Sequence, residues 1–277
     1  MLTTKLKTNM FFLLKLEWKK LNKLTAFRIF IAFYLVLLPT LLLLGKRIPE
    51  LPPPMMTNEV LFIFPTVWEW LAYVGNWLCF FFFGFLSIIT ITTEYSYRTM
   101  RQNIITGLSR KEYFLAKLYL LLAISTFATV YYTLCALLIG YFNTPAIYWH
   151  KVVQNAWFIP RYFLMCFGYM SFGALLGFWI KRTGIALFLY LSYIMFLESI
   201  LRWGVHMQLW KHRSMHFYPM NAVEDLTPLP FTQMADEFLS SYGFSLFLSP
   251  VEAAVTTIVY SGIFLFLGYK LVQRADL

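Results

Sequence analysis

Apolar and polar residues do not alternate along this chain. Apolar positions run in long blocks separated by short polar intervals, and blocks near 26–44, 67–92, 113–142, 157–180, 183–201 and 251–269 dominate the sequence. A helix crossing a hydrocarbon core needs about 20 mostly apolar residues at about 1.5 Å per residue, and these blocks meet that length. Continuous runs such as Phe80 to Phe83 and Leu41 to Leu44 exclude strands of a membrane barrel, which alternate over about ten residues. The predicted fold class is an all-α integral membrane protein: six transmembrane helices forming one domain over 26–277.

Residues 1–25 show a different period. Met10, Leu13, Leu14, Leu21 and Leu24 recur at helical spacing, with Lys15, Lys19 and Lys23 on another face. This predicts an amphipathic helix lying in the headgroup layer, its lysines reaching anionic lipid. The first apolar block lies behind this basic stretch without a small-residue cleavage site, so it reads as an uncleaved anchor.

Composition agrees: 60% of the 277 residues are hydrophobic and 13% are charged. The charge distribution supplies orientation. Of 23 Lys and Arg, 16 fall in segments 1–28, 94–117, 181–182 and 270–277, together with only 4 of the 13 acids. Basic residues are retained on the cytoplasmic side during insertion, so both ends are predicted to be cytoplasmic, in a bacterial inner membrane. The net charge of +10 is thereby a topology signal, and nucleic acid is not an expected partner. Cys79, Cys135 and Cys166 lie inside predicted spans and read as packing residues.

The segment 94–112, TEYSYRTMRQNIITGLSRKE from Thr93, carries local punctuation. Gly107 suits the left-handed closure of a short helix. Ser109 with Glu112 forms the S-x-x-E capping box of the next one. Tyr97, Met100, Arg101, Ile104 and Leu108 are predicted to share one side, mixing apolar and cationic groups as a docking surface would. A basic helix that merely enforces topology explains the same residues.

Other features read as structural. Gly173 and Gly177 form a G-x-x-x-G pair for close helix packing. Glu198 and Arg202, one helical turn apart, are predicted to pair. Ser249, Pro250 and Glu252 open the last span. A proline-rich connector over 45–65 and a larger loop over 203–249 lie on the outer side.

No phosphate loop, zinc-protease helix or nucleophile elbow occurs, so ATP hydrolysis and other enzymatic chemistry are not assigned to this chain, and no cofactor is expected. His206, Met207, His212, Met215 and His216 contain ligand types that suit copper, but at no recognised ligand spacing.

From Glu94 to Lys117 the residues Glu94, Arg98, Thr99, the helix through Ile105, Gly107, Ser109, Arg110 and Lys117 resemble the stretch between the second and third spans of ABC transporter permeases of the type-2 export superfamily. The sequence departs from that pattern at Arg98, where many members carry Gly. The resemblance implies a permease that pairs with a second permease subunit and with separate ABC ATPase subunits. It makes the short helix the coupling helix, with Glu94, Tyr97, Arg98, Met100, Arg101, Ile104, Ile105 and Gly107 as ATPase-contact candidates. It also places the second and fifth spans along the translocation route, so that Trp77, Phe80, Phe188 and Tyr193 become route candidates for a lipophilic cargo, moved outward. Two alternatives remain at this point: a membrane anchor or assembly factor without transport activity, and an ion-coupled transporter, for which midplane ionisable groups are few.

Overall fold

The structure is a computed structural model, described for residues 9–44, 58–229 and 232–275. It is all-helical, with no strand among the described residues. The helices are α1 (Met10–Leu21), α2 (Thr25–Leu44), α3 (Val67–Ser96), α4 (Thr99–Ile105), α5 (Arg110–Asn143), α6 (Phe158–Ile180), α7 (Thr183–Leu209), α8 (Pro219–Glu224), α9 (Thr232–Tyr242) and α10 (Pro250–Gln273). Most of the proline-rich connector, with Pro49, Pro52, Pro53 and Pro54, lies outside the described residues, as do the first eight.

Among the described residues five helices are long and apolar enough to cross a membrane: α3, α5, α6 with the short helix leading into it, α7 and α10. A sixth span arises only if α1 and α2, bent by 93° at residues 22–24, are counted together. The predicted spans were short at several ends: α3 continues to Ser96, α7 to Leu209 and α10 to Gln273, and the fourth span is extended at its start by the helix from Trp149. The large loop therefore begins near Trp210 rather than at 203. On the outside of α5, Val130, Leu134 and Leu138 form an exposed apolar stripe at i, i+4 spacing. Such a face is costly in water and fits a lipid surrounding.

Without a water-driven force between helices, close fit and hydrogen bonds must hold a membrane bundle together. Gly173 and Gly177 of α6 supply the fit, packing on Gly84, Ser87, Ile88 and Ile91 of α3. A Cβ on Gly173 would lie 2.7 Å from the Gly84 carbonyl oxygen, which is backbone and cannot swing away. Gly173→Val is expected to lower the melting temperature of the purified protein, at an overpacking cost of about 1–3 kcal/mol or more; an unchanged melting curve would contradict this packing.

Hydrogen bonds repair irregular helix. Pro39 inside α2 removes the partner of the Leu35 carbonyl, and the Tyr131 hydroxyl of α5 donates to that oxygen. The π-turn Cys79–Phe83 in α3 loosens the ladder. There Tyr190 of α7 donates to the Phe80 carbonyl at 3.1 Å, and its ring lies in the space kept open by Gly84. In the bundle centre, Tyr34 donates to the Ala128 carbonyl at 3.0 Å and meets Tyr162 at 2.9 Å. Cys79 lies 3.3 Å from the Tyr162 hydroxyl and 3.0 Å from the Cys166 sulfur. The three cysteines are buried and free, so two of them extend a polar chain through the core as well as filling it.

Two predicted features come out differently. Glu198 and Arg202 form no ion pair. Glu198 instead accepts the backbone N–H groups of Met220 and Asn221 at the start of α8, at 3.1 and 2.6 Å. Arg202 donates to the Met215 carbonyl at 3.0 Å and to His216 at 3.2 Å. The cause is local: π-turns at Tyr193–Leu197 and Ile200–His206 widen α7, so residues four apart no longer share a face. The predicted face of α1 is also rotated. Leu13, Glu17 and Leu21 are its buried residues, while Met10 is exposed.

Candidate functional site

At one end of the bundle lie α4, the α6–α7 turn and the end of α10. Lys181 stands over the Tyr95 ring at 5.4 Å, and Arg110 donates to the Gln273 carbonyl. We call this the basic end.

The short helix here is set by backbone geometry at both borders. Arg98, the residue preceding α4, has φ 56°, a left-handed conformation that glycine adopts without strain and arginine does not. The turn is therefore tight despite the side chain. At the other border Gly107 has φ 111°. The Gly107 N–H bonds to Ile104 O at 3.1 Å and the Leu108 N–H to Asn103 O at 3.0 Å, the paired closure of a Schellman motif. Ser109 and Glu112 then form the capping box that opens α5. The Gly107 border was legible in the sequence; the turn at Arg98 was not, because arginine gives no signal for a left-handed conformation.

The faces of α4 were not legible either. Met100 is buried at 2% exposure, and Ile104 and Leu108 pack against the core. The opposite side presents Tyr97 at 76% exposure, Ile105 at 73%, and Arg98 and Arg101, both exposed. The predicted single mixed face is thus two faces, one apolar and inward, the other aromatic, aliphatic and cationic and outward. Of the candidate contact residues, Tyr97, Arg98, Arg101, Ile105 and Gly107 are accessible. Met100 is not, and Ile104 is only partly so.

Glu94 is not accessible either, being 5% exposed. It belongs to a four-membered ion cluster. Lys117 Nζ of α5 lies 2.5 Å from Glu17 Oε2 and 2.6 Å from Glu94 Oε1, and Lys20 Nζ lies 2.8 Å from both Glu17 Oε1 and Glu94 Oε1. Two acids and two bases cancel, which is what burial demands of charges. The cluster ties α1, the end of α3 and the start of α5 into one unit directly behind α4. Sequence reading missed Glu17, and it named Lys117 only within the resemblance, without its partners. The available signal was a charge on an apolar stripe, Glu17 lying between Leu13 and Leu21.

No family model matches the sequence, and no curated protein matches it.

At the far end, α3, α6, α7 and the 210–249 segment enclose a cavity of about 360 Å³. Trp77, Phe80, Tyr169 and Trp203 supply aromatic wall, while Asn76, Arg202, Glu224 and Asp225 supply polar wall. Two of the four route candidates, Trp77 and Phe80, therefore meet in one cavity. The other two do not join them: Phe188 is 68% exposed on the outside of α7, and Tyr193 packs on Phe172 with ring centroids 5.1 Å apart.

Most polar groups of this wall are satisfied by one another. Tyr169 donates to Asn76 Oδ1 at 2.7 Å, and Asn76 Nδ2 donates to Thr227 at 2.9 Å. Asp225 Oδ2 accepts from Leu248 N at 2.9 Å and Asn221 Nδ2 at 3.0 Å. Enclosure in protein nevertheless raises the Asp225 carboxyl to about 6. Glu224 lines the cavity and is exposed, although protein crowds it on several sides. Desolvation, and then the nearby Glu198 charge, raise its pKa to about 7.

The histidines of this end do not converge. His206 Nε2 and His212 Nδ1 meet on the Ser214 hydroxyl at 2.9 and 3.0 Å, whereas His216 faces Arg202. Burial, and then the Arg202 charge, lower His216 to about 4, which keeps its ring neutral. Among the described residues no group of three or more His, Cys, Asp or Glu side chains could hold a metal ion.

Proposed function

We propose that this chain is the membrane permease subunit of an ATP-driven exporter of the ABC type-2 class, working with separate ATPase subunits and a second permease subunit. In this reading the basic end is cytoplasmic, α1 lies along the membrane surface, and the outward face of α4 is the seat of the ATPase. The observation that carries it is the division of α4: Met100, Ile104 and Leu108 lock the helix to the bundle, while Tyr97, Arg98, Arg101 and Ile105 stand free. A helix that only enforced topology would need its positive charges but not an exposed tyrosine and isoleucine beside them. Arginine and tyrosine, with an aliphatic neighbour, are the residue types enriched where protein interfaces are energetically strong.

The ion cluster behind α4 supports a lever. Because Glu17, Glu94, Lys20 and Lys117 join three helices, a push on α4 is passed to α1, α3 and α5 together rather than absorbed by one flexible turn. The mechanical consequence is a shift between inward- and outward-open arrangements, powered by ATP bound elsewhere. The aromatic wall at Trp77 and Phe80 favours a cargo with an apolar body.

Thiol labelling tests the docking face. The natural cysteines are buried, so Ile105→Cys and Met100→Cys provide single reporters. With a candidate ABC ATPase subunit co-expressed, a maleimide is expected to label position 105 in the isolated chain and to be blocked in the complex. Position 100 is expected to stay unlabelled in both. Labelling of position 105 at the same rate in chain and complex would remove α4 from the interface.

A further inference from the structure

We infer that the far-end cavity is a binding site for a small organic cation, an ammonium or quaternary ammonium group on an apolar body, held by the Glu224 carboxylate against the aromatic wall.

Three features of the cavity select this chemistry. The first is Glu224 itself, whose carboxylate has no hydrogen bond and no ion pair among the described residues although it lines the cavity. Its neighbours are already committed: Asp225 to Leu248 and Asn221, Asn76 to Tyr169 and Thr227. A carboxylate that lines the cavity with its surface open and makes no hydrogen bond among the described residues is available to a cation that enters there.

The second feature is the wall. Tyr73, Trp77, Phe80 and Trp203 line the same space, and the negative faces of such rings attract cations, quaternary ammonium groups in particular. The third is the state of Arg202, the one cation in the lining. Its guanidinium donates to Met215 O and His216 Nδ1. Its charge is opposed by Asp225, Glu224 and Glu198. An anionic ligand would meet an arginine whose hydrogen bonds are already committed and a carboxylate that repels it. The volume, about 360 Å³, suits a small molecule.

The charged and titratable groups facing Glu224 are Glu198 and Arg202 of α7, Asp225 beside it, and Tyr169 of α6. With the Glu224 carboxyl near 7, the ionised fraction rises about tenfold between pH 6 and pH 8. Affinity for a permanent cation rises in the same direction, because the carboxylate is present above its pKa and protonated below it.

The site exists in this chain alone, and its test needs no ATPase, so its failure would leave the exporter reading standing. The full-length chain in maltoside micelles is titrated calorimetrically with benzyltrimethylammonium. Saturable binding is expected, about tenfold tighter at pH 8 than at pH 6, and about tenfold weaker in Glu224→Gln at pH 8. Trp203→Leu should weaken binding without changing the pH profile, and Glu237→Gln, an exposed acid of α9, should leave it unchanged. Repeating the titration in phosphatidylcholine and in phosphatidylglycerol nanodiscs separates the natural sources. Loss of probe binding only with phosphatidylcholine assigns the site to a lipid headgroup, and equal binding in both assigns it to a free solute. No binding at millimolar probe, equal binding of benzenesulfonate, or an unaltered affinity in Glu224→Gln would overturn the proposal.

Discussion

Lys117→Met is expected to destabilise the bundle by about 3–5 kcal/mol, the largest stability loss of any single substitution at the basic end. Lys117 is buried and contacts both Glu17 and Glu94 within 2.6 Å. Methionine fills similar volume, so the loss arises from charge rather than from a cavity. Two carboxylates would be left with only the half-exposed Lys20 between them. Water reaches them poorly and no other base faces them among the described ion pairs. The measurement is the melting temperature of the purified chain by size-exclusion after heating. Adding Glu17→Gln and Glu94→Gln to Lys117→Met should recover much of the loss, because a neutral cluster again has no unpaired charge. A Lys117→Met protein as stable as the parent would show that the cluster is hydrated and does not join the helices.

The second large effect concerns binding rather than folding. Arg101→Glu with Ile105→Asp is expected to weaken association with the proposed ATPase subunit by at least about 100-fold, since two anchoring residues of an interface commonly cost about 2 kcal/mol each. Both side chains point away from the bundle, so the melting temperature should stay near that of the parent. Met100→Ala should behave in the opposite way. It empties a buried position against the core and should lower stability, while leaving the outward face available. The contrast separates a docking face from a merely structural helix.

How far these features could be read from the sequence follows from the range of the interactions involved. Elements set by neighbours in the chain were legible. The Gly107 closure, the Ser109–Glu112 box and the Ser249–Pro250–Glu252 start of α10 each depend on residues within five positions, and each is present. The apolar blocks identified the long helices for the same reason, because hydropathy is a local sum. The small-residue pair Gly173 and Gly177 was also recognised, although its partner surface on α3 was not.

What failed depended on distant residues or on helix register. Lys117 and Glu17 are 100 positions apart, and nothing between them signals that they meet. The two π-turns of α7 rotate everything beyond Tyr193 relative to a regular helix, which separated Glu198 from Arg202. The faces of α4 were misassigned because a seven-residue helix has too few positions for its period to be read. Met100 and Ile104 were grouped with Tyr97 and Arg101, and only the packing on the bundle distinguishes them. The far-end cavity depends on both causes, since its wall joins α3, α6, α7 and α8.

The reading of α4 as the seat of an ATPase is tested most directly by ATP hydrolysis. A candidate ABC ATPase subunit is co-purified with the chain in nanodiscs, and the rate is compared with that of the subunit alone. Faster hydrolysis is expected in the parent complex, falling to the rate of the isolated subunit when Arg101→Glu and Ile105→Asp are combined in a chain of undiminished melting temperature. A double variant that stimulates hydrolysis as well as the parent would contradict it.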